Sequence, residues 1–249
     1  MAIPVITETQ KAELNERGYT IFPDIFTGDE MNALAERIES YQRRHEEAIA
    51  AKGGTEGLSR AREITFTDHL AEHDPEIETF TRRREFLHIC GELLGPDVDL
   101  YWNQSVFKMP EGEKEFPWHQ DDGYTPVTPS PYLTLWLSLN GATVENGTVS
   151  VLPGSHKNGL APHKPSPLGL ICHDADDPDQ GIAVEVPAGG IAVFWSTTMH
   201  KSGVNRSKGI RKAYILQYSK APLTSIADGK VIENKIALTR NGTPVHTSP

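Results

Sequence analysis

Up to Gly95 the apolar positions follow helical spacing; beyond it they gather in short runs broken by Gly, Pro and Asn. Thr7 with Gln10 resembles a capping box, and Gly18 closes the helix it opens. Tyr19–Phe22 is a short strand candidate stopped by Pro23. Thr27 with Glu30 is a second capping box, ahead of a helix that places Met31, Leu34, Ala35, Ile38 and Tyr41 on one face. That helix turns polar and ends near Gly53–Gly54, and residues 50–60 are expected to form a mobile loop. Pro75 fits the first turn of a third helix, with Ile77, Phe80, Leu87, Cys90 and Leu94 inward and Gly95 as its stop.

The strand candidates are Leu100–Lys108, Leu133–Asn140, Thr148–Leu152, Ile182–Val186, Ile191–Trp195 and Ala213–Ser219. Helices and strands come in blocks without alternation, which disfavours a parallel sheet with crossover helices. Several short strands with turn signals favour a sandwich or barrel, of which a double-sheet jelly roll is one solution. The expected fold is mainly β with helical additions. Residues 1–97 form a helical buttress, 98–220 a jelly-roll core and 221–249 a C-terminal extension, all in one domain. In the extension Ile232–Leu238 is an edge-strand candidate, and the last residues are expected to fray. Residues 161–181, Pro-rich and then acidic through Asp174, Asp176, Asp177 and Asp179, form a long insertion that suits a lid or a solvated excursion.

Composition narrows the partners. The chain has 249 residues, with 34 acidic against 24 basic side chains and a formal net charge of −10. That balance argues against nucleic acid and anionic lipid, which need a basic field. No apolar run approaches the ~20 residues of a membrane-spanning helix. Two cysteines, Cys90 and Cys172, make no disulfide framework and fit a reducing compartment. The N-terminal stretch lacks a basic region followed by an apolar one, so no secretory signal is expected and a cytoplasmic location is.

Ten histidines are the first chemical signal. His45 with Glu47 lies on a predicted helix, where positions i and i+2 diverge. His69, His73, His88 and His246 have no partner at useful spacing. His119 and Asp121 differ, because in an extended segment side chains at i and i+2 share a face. An imidazole and a carboxylate converging with open coordination positions is the arrangement of non-haem Fe(II) oxygenases, which need one more His. His200, after the strand Ile191–Trp195, supplies it. If the strands flanking the polar loop 201–210 are antiparallel neighbours, Arg211 stands beside His200. An Arg fork beside a metal suits an anionic, metal-chelating co-substrate.

The residues also resemble the phytanoyl-CoA dioxygenase family, Fe(II)- and 2-oxoglutarate-dependent oxygenases on a double-stranded β-helix core. The matching segments are Phe107-Lys108-Met109-Pro110, Trp118-His119-Gln120-Asp121, Leu135-Trp136, Asn146-Gly147-Thr148, Val151 through Lys157, and His200 through Ala213 around Ser202, Gly203, Asn205 and Arg211. They come in family order over roughly residues 100–220. The resemblance implies that His119, Asp121 and His200 bind iron. It implies that Arg211 takes the distal carboxylate of 2-oxoglutarate, with Ser202 alongside, and that Trp136 and Gln104 line the co-substrate pocket; Thr134, near the metal strands, is a further candidate pocket residue. His156, within a family hallmark segment, is expected to be structural or at the pocket rim. The implied reaction consumes 2-oxoglutarate and O2, releases succinate and CO2, and hydroxylates or otherwise oxidises a small molecule. Related iron halogenases replace the carboxylate with a small residue, so Asp121 implies oxygenation and not halogenation.

Other classes fit parts of the pattern. A non-catalytic jelly roll does not require four intact site residues, and a zinc hydrolase on the same triad has no use for Arg211. Tyr124, Arg62 and Arg206, with Thr65, are the candidate substrate contacts. A CoA thioester is conceivable by family analogy. Its phosphates favour a basic surface, which an excess of ten acids does not provide, so a free metabolite or natural-product intermediate is the expected substrate.

Overall fold

The computed structural model describes residues 6–110, 115–173, 181–233 and 235–245. Asp174–Asp179, the terminal segment from His246, and the first five residues lie outside them. Both expected capping boxes form. Thr7 and Gln10 close α1 (Glu8–Arg17), and Thr27 and Glu30 close α2 (Gly28–Ala51). Gly18 ends α1 at φ 85°, where a Cβ would stand 2.4 Å from His156 Nδ1. His156 donates from Nε2 to the Asn15 carbonyl at 3.0 Å, which makes it a strut under α1.

Two expectations for this region change. Residues 50–60 are not simply a loop, because Thr55–Glu56 pairs with Ser59–Arg60 as a short hairpin at a sheet edge. The single third helix is two, α3 (Pro75–Thr81) and α4 (Arg84–Leu94). The break falls at Arg82–Arg83, whose N–H groups bond three residues back and whose guanidinium groups go separate ways. Arg82 donates to the Ala237 and Val245 carbonyls, Arg83 to Glu30 and Glu85.

Ten strands carry the core, in chain order β1 (Tyr19–Phe22), β2 (Ile64–Asp68), β3 (Val98–Lys108), β4 (Phe116–His119), β5 (Leu133–Ser138), β6 (Val149–Val151), β7 (Ile182–Ala183), β8 (Ile191–Trp195), β9 (His200–Ser202) and β10 (Arg211–Lys220). The larger sheet runs β1-β8-β5-β10-β3-β2, antiparallel throughout, and the smaller runs β7-β6-β9-β4. The helical third therefore also supplies β1 and β2 to the larger sheet. Ile236–Arg240, centred three residues beyond the centre of the expected edge strand Ile232–Leu238, returns to pair with the start of β3.

Alternation on the central strands separates two cores. Leu133, Leu135 and Leu137 of β5 and Tyr214, Leu216 and Tyr218 of β10 pack with Met31, Ile38, Phe86 and Ile89 from the helices. Trp136, Ala213 and Ile215 point the other way, against Val149 and Val151 of the smaller sheet. All six residues of β5 are buried, the polar Thr134 and Ser138 included, because both of its faces are covered. This is the two-sheet jelly-roll arrangement expected from the sequence.

Arg211 is not a strand neighbour of His200. After β8 the chain turns, with Thr198 N–H bonded to the Trp195 carbonyl, and crosses to the smaller sheet, where His200 opens β9. Arg211 opens β10 in the larger sheet and pairs with Lys108 of β3. The two residues face one another across the gap between sheets, a closure that local turn chemistry does not encode.

Candidate metal centre

His119 ends β4 and His200 opens β9, and the two are register partners. Their rings lie 4.1 Å apart. Asp121 is not in an extended segment but starts a 3-10 turn, Asp121–Gly123. Gln120 between them stays extended at φ −117°, ψ 139°. Its buried amide donates to the Gly159 and Thr197 carbonyls and accepts from Ala161 N–H. That anchoring keeps His119 and Asp121 on one side.

The donor atoms are poised for a cation. His119 Nδ1 donates to the Pro117 carbonyl at 2.8 Å, and His200 Nδ1 to the Thr198 carbonyl at 3.0 Å. Each bond fixes the tautomer and leaves the Nε2 lone pair free. Those Nε2 atoms lie 3.8 and 3.5 Å from Asp121 Oδ1. Thr134 Oγ1 donates to Asp121 Oδ2 at 2.5 Å and orients the carboxylate. Burial, reinforced by His200, holds the His119 imidazole well below its usual range, so it stays neutral. Among the described residues this is the one group of three or more ligand-type side chains that converges in this way. Two imidazoles and one carboxylate with an open side fit a non-haem iron centre.

A narrow cavity of about 60 Å³ runs from this centre to Arg211, lined by Trp136, Thr134, Gln104 and Ser202. Gln104, Ile215 and Trp136 are register neighbours across β3, β10 and β5, which aligns them on its floor. Arg211 is 1% exposed, and its Nε and Nη1 have no hydrogen-bond partner among the described residues. Its guanidinium carbon sits 5.2 Å from the Trp136 ring centroid. Burial lowers its pKa to about 10, which still leaves it cationic at neutral pH. A buried cation without a partner is costly and marks a place for an anion.

Lys108, beside Arg211 on β3, is a site residue whose role the sequence did not reveal. It is 2% exposed and donates from Nζ to the Ser202 carbonyl and hydroxyl at 3.1 and 3.0 Å, and to the Gly203 carbonyl. It thus ties the larger sheet to the end of β9. Burial, then the neighbouring Arg211, pushes its pKa down to about 7. The only signal for it was its place in Phe107-Lys108-Met109-Pro110, as the last residue of the strand candidate Leu100–Lys108.

A second chamber of about 330 Å³ opens on the other side of His119 and Asp121, with Gln104 and Tyr124 in its wall. Tyr101, Trp102, Tyr132 and Gln217 also line it, and sequence reasoning passed over all four. Three candidate substrate contacts lie elsewhere. Arg62 is exposed in the turn before β2, where its N–H bonds to Glu46. Arg206 is exposed in the loop before β10, with its N–H on the Glu145 carbonyl. Thr65 is buried but pairs with Phe107 on the helix-facing side of the sheet, while its neighbours Ile64 and Phe66 face the cavities. The described part of the insertion forms the hairpin Lys164–Ser166/Gly169–Ile171 and reaches the site, with Leu170 N–H on the Tyr124 hydroxyl and His163 Nε2 accepting from Gln120 N–H.

Residues 14–213 match the phytanoyl-CoA dioxygenase (PhyH) family. A probable alpha-ketoglutarate-dependent hypophosphite dioxygenase of Stutzerimonas stutzeri is 27% identical over 227 residues, 85% of this chain and 78% of that protein. The peroxisomal phytanoyl-CoA dioxygenase of Bos taurus is 25% identical over 243 residues, 87% and 69% of the two chains. Among solved structures, the non-heme alpha ketoglutarate dependent carbocyclase SnoK from nogalamycin biosynthesis superposes with a TM-score of 0.72 at 22% identity, covering 94% of this chain and 96% of that one. EvdO2 from Micromonospora carbonacea var. aurantiaca, complexed with 2-oxoglutarate, gives 0.70 at 22% identity over 92% and 96%. These two share the fold. With a family match over most of its length and a His-Asp-His cluster that fits Fe(II), the chain belongs to the phytanoyl-CoA dioxygenase family of Fe(II)- and 2-oxoglutarate-dependent oxygenases.

Proposed function

We propose that this protein hydroxylates, or otherwise oxidises, a small-molecule metabolite or natural-product intermediate at iron held by His119, Asp121 and His200. The observation that carries the reading is the convergence of two free Nε2 atoms and one carboxylate oxygen opposite a buried guanidinium with unpaired N–H groups. Bound iron, with 2-oxoglutarate and O2, supplies the oxidising chemistry and releases succinate and CO2. The protein's own residues arrange it. The Pro117 and Thr198 carbonyls hold the imidazole tautomers, and Thr134 aims Asp121. Arg211 takes the distal carboxylate of 2-oxoglutarate through a planar fork, steadied by the face of Trp136 and with Ser202 alongside. Gln104, shared by both cavities, stands between co-substrate and substrate. A zinc hydrolase on the same triad leaves Arg211 without a purpose.

Asp121 in the ligand set favours oxygenation over halogenation, because a halide needs the position that the carboxylate takes. The unpaired cysteines and acidic charge support a cytoplasmic setting, and among the described residues no helix is long and apolar enough to cross a membrane.

Anaerobic addition of Fe(II) and 2-oxoglutarate should give a visible metal-to-ligand charge-transfer band, and admission of O2 should give slow succinate release without substrate. Absence of both rejects the reading. Asp121→Gly should abolish turnover, and full retained turnover removes Asp121 from the metal shell.

A further inference from the structure

The larger chamber has a wall chemistry that selects among substrates. Six aromatic side chains line it: Phe66, Tyr101, Trp102, Phe116, Tyr124 and Tyr132. Four of them form two pairs, Tyr101 and Tyr132 edge-on with centroids 5.2 Å apart at 65°, and Phe66 and Phe116 tilted, 5.4 Å apart at 52°. Such surfaces bind flat apolar faces well. No Lys or Arg is among the described residues of the wall, and its one carboxylate, Asp121, is already engaged by Thr134 and belongs to the metal cluster.

The remaining polar groups are mainly neutral amides. Gln217 is only 7% exposed and stands in the chamber wall. It sits opposite Thr134 in the register of β10 and β5, one strand from the residue that orients Asp121. Gln104 accepts from Trp102 Nε1 at 3.1 Å through Oε1, which leaves its amide N–H groups free. A ligand that enters displaces the water these amides can bond, and polar groups on it that pair with them recover that loss. A carboxylate or phosphate in this chamber would lose its water and find no counter-charge. It would also face the carboxylate of Asp121 and the dianionic co-substrate beyond it.

We infer that the chamber takes an uncharged, ring-bearing molecule whose hydroxyl, keto or amide groups pair with Gln217 and Gln104, and that it rejects acids, phosphate esters and CoA thioesters. The inference rests on the oxygenase reading, since it makes this chamber the substrate site beside the metal. Gln217 then serves as a specificity-determining residue.

The test uses four probes on the protein loaded anaerobically with Fe(II) and 2-oxoglutarate, followed by calorimetry and by tryptophan fluorescence, to which Trp102 in the wall contributes. They are 1-naphthamide, its anionic counterpart 1-naphthoate, the cationic 1-naphthylmethylammonium, and acetyl-CoA. 1-Naphthamide should bind at least about ten-fold more tightly than each charged probe. Gln217→Leu should weaken it about five-fold, the worth of one neutral hydrogen bond. Gln217→Glu should turn the preference toward the cation. Equal or tighter binding of any charged probe, no binding of 1-naphthamide up to its solubility limit, or variants that bind like the wild type overturns the inference. The charge-transfer band separates the two readings. A band with reversed probe selectivity rejects the substrate class alone, whereas amide selectivity without a band rejects the iron chemistry alone.

Discussion

The two faces of β10 show how one strand divides its labour. Toward the helices, Tyr214, Leu216 and Tyr218 are buried in hydrocarbon, and both tyrosine hydroxyls are served. The Tyr214 hydroxyl donates to Asn103 and the Tyr218 hydroxyl to the Thr81 carbonyl, each at 2.9 Å. Toward the cavities, Arg211 and Gln217 bracket Ala213 and Ile215; Arg211 carries N–H groups that nothing in the described protein accepts, and Gln217 lines the larger chamber. The residues differ by one step along the chain and by opposite fates in the fold. The helix-facing set holds the sheet in place, and the cavity-facing set is left incomplete for ligands. The unpaired N–H groups of Arg211 point to a ligand because they lie in the cavity beside the metal cluster.

The sharpest way to break this contrast is Arg211→Met. It should lower 2-oxoglutarate affinity by more than about 100-fold, since two charge-assisted hydrogen bonds contribute about 1.5–3 kcal/mol each. It should also leave the melting temperature unchanged or higher, because an unpaired buried cation is removed. Calorimetry and thermal unfolding read the two quantities, and a large loss of stability would make Arg211 a structural residue. Leu216→Ala, one face over, should do the reverse. It should cost about 2–5 kcal/mol of folding stability and leave co-substrate affinity intact.

Lys108 gives the comparison a pH signature. Its folded pKa of about 7 lies below the ordinary 10.5. Between those values the unfolded chain binds the extra proton, so stability should rise with pH and level off near the upper one; below pH 7 the full penalty is present. The slope from this group is at most about 1.4 kcal/mol per pH unit. Denaturant midpoints for wild type and Lys108→Met across that range isolate it, and parallel curves would refute it. The smallest effect is expected from Tyr218→Phe, about 1 kcal/mol of stability with no change in ligand affinity, because one hydrogen bond to Thr81 is lost in a region remote from ligands.

Much of this was legible along the chain. Both capping boxes, the span of β8 and the strand character of β3, β5 and β10 follow from local spacing and turn residues. β2 was missed although Ile-Thr-Phe-Thr alternates, because charged residues on either side mask a five-residue pattern. The helix break at Arg82–Arg83 was missed because two arginines are good helix formers, and only their separate acceptors pull the chain apart. Gln217 was passed over for a related reason. A polar residue within a strand suggests solvent, and nothing local says that its face is enclosed by aromatic rings from other strands and loops.

The chemistry of this protein was written in residue identity. His119, Asp121, His200 and Arg211 carry the same lone pairs and charge in any conformation, and their spacing already suggested a metal and an anionic co-substrate. Closing the two sheets against each other decided what those groups meet. Closure sets Arg211 across the gap from His200 instead of beside it, and joins Lys108 to Ser202 over 94 positions of chain. It also makes Gln217 a cavity residue. Alternation along a strand is local and can be read from its neighbours, whereas facing residues belong to strands far apart in the chain, and their proximity exists only when the whole core packs.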